Sequence, residues 1–151
     1  MKTEQLLGNK TLLELKKTAF LCSQKIPASA VLKCYDWAIE QRKAGNCVVC
    51  GNHSTIEKDV FEILLKGKQP LILMLARGMK SRWEPVIEQA IKENRLLVIS
   101  PMDKKVKRVT RATAETQNRE TISISDHICV GYVTPQGQLD NLLKNEKFEL
   151  L

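Results

Sequence analysis

The chain has no long apolar run and few aromatic residues. No stretch reaches the roughly 18 apolar residues that a membrane-spanning helix needs. Residues 1–17 are polar and charged and lack the apolar core of a secretory signal. We therefore expect a cytoplasmic protein with no membrane partner. Phe, Trp and Tyr make up only 5% of the residues, so base stacking should contribute little to any affinity for nucleic acid, and sequence preference should be weak.

Several motifs of common enzymes are missing as well. There is no G-x-G-x-x-G turn after the first predicted strand, which argues against an ordinary NAD enzyme, and no Walker-type Gly-Lys-Ser run. His53 and His127 have no second ligand at metal spacing. We therefore expect a protein that is not an enzyme and holds no cofactor or metal. His53 is interpreted as a ligand contact or as a loop residue without a role, and His127 as a structural residue.

The five cysteines do not form an obvious redox or metal motif. Cys47 and Cys50 have the C-x-x-C spacing of such sites, but two valines separate them in one continuous apolar strand. Their thiols should then point to opposite faces of a sheet. We interpret the cysteines as small buried residues in a reducing compartment.

Strand and helix patterns alternate along the chain, whose 151 residues fit one domain. This alternation predicts an α/β fold: a doubly wound, mostly parallel five-stranded Rossmann-like sheet with helices on both faces. We expect a lead-in over 1–16, in which Thr11 caps a helical turn, one domain over 17–146 and a tail over 147–151. The predicted strands cover 18–23, 46–50, 70–76, 95–100 and 127–133, and the predicted helices cover 29–44, 54–66, 82–93, 112–125 and 138–145.

The segment from Asn46 to Glu57 is the first candidate site. An apolar strand ends at Gly51, and a helix with two candidate caps, Ser54 and Thr55, follows at once. Such a turn presents backbone N–H groups at the positive end of a helix, which predicts an anion site at the carboxyl edge of the sheet.

Positive charge is concentrated in the loops that should share this edge. The formal net charge is +7 and the pI is near 9.2, which favours a polyanionic partner when the charge is focused and only solubility when it is scattered. If residues 101–111 are helical, their cations form one stripe at i, i+3, i+4 and i+7. The loop cations are Lys25, Arg77, Lys80, Arg82, Lys104, Lys105, Lys107, Arg108 and Arg111, and Asp103 is the only acid among them.

The order of these segments resembles the Rossmann-like core of the DprA/Smf DNA-processing proteins, within the SLOG superfamily. The similarity covers roughly residues 18–134 and includes Cys50-Gly51, Thr55-Ile56-Glu57, the Arg77-Gly78 loop and Gln117-Asn118-Arg119. On residue type alone, Arg119 would form a salt bridge and Asn118 a turn contact. The resemblance implies instead that both shape a pocket for single-stranded DNA, that Gly51 and Thr55 approach phosphate, and that the protein takes part in DNA processing and recombination.

The sequence departs from the family pattern at two of these positions. Thr55 stands where the family has glycine, and Gln117 where it has arginine, so we expect a stand-alone, divergent single domain. The full set of residues predicted to bind nucleic acid or phosphate is Lys25, Gly51, His53, Ser54, Thr55, Arg77, Gly78, Lys80, Lys104, Lys105, Lys107, Arg108, Asn118 and Arg119.

Two other functions stay open. One is a SLOG-type sensor that binds a nucleotide or nucleotide-sugar in the same pocket. The other is a phosphoribohydrolase, for which Glu57 is the only carboxylate close to the turn, although the Pro-Gly-Gly-x-Gly-Thr run of those enzymes is replaced by Thr134-Pro-Gln-Gly-Gln-Leu139. Edge strands and the apolar final helix also allow a homodimer.

Overall fold

A seven-stranded sheet with helices on both faces forms the protein. The computed structural model describes residues 4–151. The strands are β1 (Gln5–Gly8), β2 (Lys17–Leu21), β3 (Cys47–Cys50), β4 (Leu71–Met74), β5 (Leu96–Ser100), β6 (His127–Val130) and β7 (Glu149–Leu150), in the order β1-β5-β4-β3-β2-β6-β7. All neighbours are parallel except β1 and β5, which are antiparallel. The α/β fold with a mostly parallel sheet is therefore confirmed.

The helices divide between the two faces as a doubly wound fold requires. They are α1 (Ala28–Ala44), α2 (Thr55–Leu65), α3 (Pro85–Lys92), α4 (Arg111–Ile124) and α5 (Gln138–Leu142). The first three pack on one face around Trp37, Val60 and Ile87, while α4 and α5 cover the other face near Ile124 and Leu139. Cys47 and Cys50 belong to the cores on opposite faces, as predicted, and all five thiols are free and buried.

The strand order creates a switch point between β2 and β6. From β2 the chain steps outward in one direction through β3, β4 and β5, and α4 then carries it back to β6 on the opposite side of β2. Loops after β2 and β6 therefore diverge at the carboxyl edge and leave a crevice there, which is where open α/β sheets bind ligands.

The segments expected to be lead-in and tail add strands to the sheet. Residues 5–8 pair with β5, a short 3₁₀ helix spans Lys10–Glu14, and residues 149–150 pair with β6. The predicted cap was also wrong: Asn9, not Thr11, caps the 3₁₀ turn, because its Oδ1 accepts the N–H of Thr11 at 3.1 Å. These strands have only two to four residues, too few for a periodic pattern to be recognised.

One predicted helix begins later than expected, and the condition for a stripe of cations is not met. Helix α3 begins at Pro85 rather than at residue 82, since proline holds the preceding Glu84 in an extended conformation. Residues 101–110 are not helical, so the conditional stripe of four cations does not form. In this loop the Asp103 carboxylate accepts the Lys105 N–H at 2.9 Å in a turn. Of the four cations of the stripe, only Arg111 belongs to a helix; the others are Lys104, Lys107 and Arg108.

Lys17 anchors the N-terminal segment to the sheet. Its buried ammonium group donates to the carbonyl oxygens of Leu13 and Leu15 at 2.7 and 2.8 Å, and lies 3.7 Å from the Asp126 carboxylate. The backbone of Lys17 exchanges two hydrogen bonds with Asp126, each of 2.8 Å. The end of the 3₁₀ turn and the start of β6 therefore meet at one residue.

We expect Lys17→Met to lower the free energy of unfolding by about 1–3 kcal/mol, because it keeps the apolar stem but leaves the carbonyl oxygens without their charged donor. Lys16→Met, at the exposed neighbouring position, removes the same charge and should stay within about 0.5 kcal/mol of wild type. Urea denaturation followed by circular dichroism measures both values. Equal stability of the two variants would contradict the anchoring role of Lys17.

Candidate functional site

A cavity of about 500 Å³ lies at the switch point. Its walls come from the loops after β2, β3, β5 and β6 and from the first turns of α2, α4 and α5. Lys25 and Arg111 are exposed at the mouth, His53 is half-buried, and Glu57 is almost fully buried with 3% of its surface exposed. Polar side chains such as Ser23, Gln24, Thr110, Asn118, Thr134 and Gln138 complete much of the lining.

The turn between β3 and α2 is closed by a capping box. Ser54 caps α2, and its hydroxyl accepts the Glu57 N–H at 3.3 Å. In return, Oε1 of Glu57 accepts the backbone N–H groups of His53 and Ser54 at 3.2 and 3.4 Å. The predicted free N–H groups at these two residues are therefore already engaged by a carboxylate of the chain itself. The prediction of an open anion site is therefore corrected: a phosphate could reach these two N–H groups only by displacing the Glu57 side chain.

Glu57 also forms an acid–base pair with His53. Nδ1 of His53 lies 2.8 Å from Oε1 of Glu57, an ion-pair distance without the alignment of a hydrogen bond. Burial lowers the pKa of His53, but the short contact with Glu57 and its negative charge outweigh burial, so the pKa is raised above its ordinary value of 6.5. On the other ring nitrogen, Nε2 is 3.4 Å from Nε2 of Gln24. His53 thus lies in the cavity wall between Glu57 and Gln24.

Gly51 serves close packing rather than an open phosphate turn. It is buried and does not line the cavity. A Cβ at this position would overlap the amide of Gln117, which is 1% exposed and donates to the Met74 carbonyl oxygen at 2.9 Å. The glycine therefore lets α4 approach the sheet, and Gln117 fills the space with a neutral side chain.

The start of α4 contributes one wall of the cavity. Thr110 and Thr113 form a second capping box, with the Thr113 N–H donating to Thr110 Oγ1 at 3.1 Å. Arg111, Ala114 and Asn118 follow along one face of α4 and line the cavity. Gln138 donates to the Arg111 carbonyl oxygen at 3.0 Å, which ties α5 to this wall.

The basic loops after β4 and β5 pack against each other. The Gly78 N–H donates to the Val106 carbonyl oxygen at 2.7 Å, and Ser100 Oγ donates to that of Arg77 at 2.7 Å. A Cβ on Gly78 would lie 2.5 Å from the Asp103 carbonyl oxygen, so glycine permits this contact. We call the surface that these loops form the basic loop surface; its cations are Arg77, Lys80, Arg82, Lys104, Lys105, Lys107 and Arg108.

The basic loop surface adjoins the cavity. The loop after β5 continues through Val109 and Thr110, both of which line the cavity, into α4. Within the loops, Lys80 lies 4.9 Å from the Trp83 ring and 3.5 Å from the Glu84 carboxylate, while the Nε of Arg77 donates to the Gly78 carbonyl oxygen at 3.1 Å. The loop after β5 thus runs from the basic loop surface to the cavity wall.

The structure brings only part of the predicted set to the cavity. Lys25, His53, Ser54 and Asn118 line it. Arg119 does not: its side chain is 62% exposed and pairs with Glu115 at 2.9 Å on the outer face of α4, as its residue type alone suggested. Thr55 is exposed outside the lining as well. The other predicted residues outside the lining are Gly51, Arg77, Gly78, Lys80, Lys104, Lys105, Lys107 and Arg108.

Sequence reasoning missed the position of Glu57 at the cavity wall and the part that Thr110, Arg111, Thr134 and Gln138 play in the lining. The Ser54-x-x-Glu57 spacing is a capping-box pattern and could have predicted the first of these. Among residues 4–151, no three His, Cys, Asp or Glu side chains come together as a metal site requires. In the same range no helix has both the length and the apolar character needed to cross a membrane.

Solved structures share this fold. DNA processing protein A from Helicobacter pylori, described for its single-stranded DNA binding mode, superposes with a TM-score of 0.76 at 17% identity over 97% of this chain and 70% of its own. DprA from Streptococcus pneumoniae gives 0.66 at 15% identity over 98% and 62%, respectively. The molybdenum cofactor binding protein from Rippkaea orientalis gives 0.58 at 12% identity over 89% and 75%.

The resemblance to DprA is thereby confirmed at the level of the fold. The chain spans less than two thirds of the S. pneumoniae protein and somewhat more of the H. pylori protein. No protein-family model matches the chain, and no curated protein matches its sequence.

The raised pKa of His53 should make stability depend on pH. A group that binds its proton more tightly when folded stabilises the protein fully below its unfolded pKa, near 6.5, and loses that contribution as pH rises through the higher folded pKa. The wild type should therefore exceed His53→Gln in free energy of unfolding by more at about pH 5.5 than at about pH 8.5. Urea denaturation at the two pH values measures the difference.

Glu57→Gln provides the control for this prediction, since it removes the negative charge that raises the pKa. An NMR titration of the His53 ring should then show a lower pKa than in the wild type. If the pKa of His53 is the same in both proteins, the pair with Glu57 does not govern its protonation.

Proposed function

We propose that the protein binds single-stranded DNA at the carboxyl edge of its sheet and acts in DNA processing. The observation that carries the proposal is a nucleotide-sized cavity with Val109 and Thr110 in its wall, since these residues end the same loop that carries four cations of the basic loop surface. A cavity of about 500 Å³ falls within the range of small-ligand sites. The shared fold with DprA proteins, one of which is described as binding single-stranded DNA, supports the same ligand class.

The two parts of the edge have different tasks in this proposal. Lys25 and Arg111 at the cavity mouth and the seven cations of the basic loop surface neutralise consecutive phosphates, which supplies most of the affinity. The cavity takes one nucleotide unit out of the strand. No Phe, Tyr or Trp lines it, so hydrogen bonds rather than stacking would hold that nucleotide.

We further propose that binding occurs without turnover. The one carboxylate in the cavity lining, Glu57, is held through Oε1 by two backbone N–H groups and lies beside His53. Glu57 thus has a structural task already, as the cap of α2. Incubation with nucleoside monophosphates should release no free base, and release that depends on Glu57 would instead establish a phosphoribohydrolase.

We propose a cytoplasmic location, because the five buried thiols form no disulfide, as is usual in a reducing compartment.

A nucleotide or nucleotide-sugar sensor is the second candidate. The observation that favours it is the convergence of four loops and the start of α4 on one cavity, which suits a single small anion as well as one unit of a strand. Such a ligand would contact Lys25 and Arg111 but not the basic loop surface. Its affinity would therefore depend only weakly on salt, and mononucleotides alone would raise the melting temperature.

Fluorescence anisotropy with a labelled oligonucleotide tests the first proposal. For about four phosphate contacts, raising the salt concentration from about 50 to about 200 mM should weaken binding roughly 50-fold. Lys25→Ala and Arg111→Ala should each weaken binding at low salt and reduce its dependence on salt. Arg119→Ala removes the same charge from the outer face of α4 and should bind nearly as the wild type does.

Two results would contradict the proposed DNA-binding site. Absence of binding at low salt, together with stabilisation by mononucleotides, would favour the sensor. Weaker binding by Arg119→Ala than by Arg111→Ala would move the DNA path from the cavity to the outer face of α4.

A further inference from the structure

We infer that the Glu57 carboxylate selects the base that enters the cavity and that it favours guanine. The inference rests on the proposed function, since it concerns the same cavity. It adds a base preference, whereas the low aromatic content alone predicts weak sequence preference. The juxtaposition behind it is a single buried carboxylate at the inner wall of a cavity whose cations lie at the mouth.

The two oxygens of Glu57 are in different situations. Oε1 accepts the N–H groups of His53 and Ser54 and lies beside the His53 ring. Oε2 accepts no hydrogen bond from any residue in the range 4–151, and it is not among the buried polar atoms there that lack a partner. It therefore remains in contact with the cavity. A carboxylate oxygen offers only acceptor sites, so the ligand group that meets it must carry hydrogen-bond donors.

The charges in the lining fix which part of a nucleotide meets Glu57. Phosphate is repelled by the carboxylate and attracted by Lys25 and Arg111, which are exposed at the mouth, whereas Glu57 is buried. A nucleotide therefore enters with its phosphate at the mouth and its base toward Glu57. The reverse orientation would place two negative groups together in a partly buried site, which is strongly unfavourable.

Among the four bases, guanine offers the best donor pair for a carboxylate. Its N1–H and its exocyclic amino group lie side by side, so both donors can converge on the one available oxygen, Oε2. Adenine and cytosine each present a single amino group, and thymine presents one N–H between two carbonyl oxygens that the carboxylate would repel. Among residues 4–151, no Phe, Tyr or Trp lines the cavity. Stacking on such side chains therefore does not reduce the difference in affinity between guanine and the other bases.

A series of three oligonucleotides tests the inference with the wild-type protein alone. Labelled oligothymidylates of about nine nucleotides, identical except for guanine, hypoxanthine or thymine at the centre, carry the same number of phosphates. Guanine should bind about tenfold more tightly than thymine, the size of one good bidentate contact. Hypoxanthine, which keeps N1–H but lacks the amino group, should fall between them.

Substitution of Glu57 tests the same point from the protein side. Glu57→Gln keeps an oxygen for the N–H groups of His53 and Ser54 but places an amide donor where Oε2 stood. The ratio of guanine affinity to thymine affinity should then fall to about one, and this ratio is the readout because both ligands are measured on the same variant. Glu62→Gln is the matched control, because it removes an exposed carboxylate from the same helix outside the cavity, and it should keep the full preference.

The outcomes separate this inference from the proposed function. Salt-sensitive binding with equal affinity for guanine and thymine overturns the base preference and leaves DNA binding intact. A preference that survives in Glu57→Gln likewise overturns the role of Glu57. Failure of all three oligonucleotides to bind at low salt contradicts the proposed function itself, and the base preference with it. If Glu57→Gln does not fold, the three oligonucleotides still test the guanine preference with the wild-type protein.

Discussion

The bond that the candidate site depends on most is the capping interaction of Glu57 across the turn between β3 and α2. One side chain satisfies two backbone N–H groups at the start of α2, holds His53 and places a negative charge in the cavity wall. In many α/β proteins the corresponding turn is the place where a phosphate binds. Here the chain provides its own anion at this turn, and in the proposed function the cations at the mouth and in the adjoining loops bind the phosphates instead.

The strand order determines why these groups meet at all. The cavity brings together residues that are far apart in the sequence: Lys25, Glu57, Arg111 and Thr134. They converge because β2 and β6 are neighbours in the sheet, although three strands and their helices lie between them in the sequence. Close packing then sets the shape of the edge. Gln117 fits against Gly51, and Gly78 lets two positively charged loops lie in contact. Repulsion between those loops is tolerated because they are exposed to solvent, and it is relieved when a polyanion lies across them.

Most of the fold was predictable because apolar periodicity is a strong signal. The five parallel strands are continuous apolar runs, and the helices between them were placed to within a few residues. The short edge strands were missed since two to four residues carry no period, and the start of α3 was placed too early because the effect of Pro85 on Glu84 was not considered. Residues 101–110 show a further limit: regular spacing of cations says nothing about helicity when the local turn is set by Asp103.

The site was less predictable than the fold. Loop positions placed the predicted residues at the carboxyl edge, where the cavity lies, but spacing could not tell which cations face the cavity and which face solvent. Arg111 and Arg119 belong to the same helix, yet one lines the cavity and the other pairs with Glu115. The capping role of Glu57 follows from the Ser54-x-x-Glu57 spacing, but its place in the cavity wall depends on the three-dimensional closure of the turn. Such distinctions require the packing of side chains, which sequence periodicity does not contain.

The most direct test of the central claim is NMR mapping of single-stranded DNA on the uniformly ¹⁵N-labelled protein. The account predicts that amide shifts change in the loops around residues 23–25, 53–57 and 134–138, in the first turns of α4, and across the basic loop surface, while the opposite edge of the sheet is unaffected. Changes confined to the outer face of α4, or to the amino ends of the strands, would show that DNA binds elsewhere and would contradict the assignment of the cavity as the binding site.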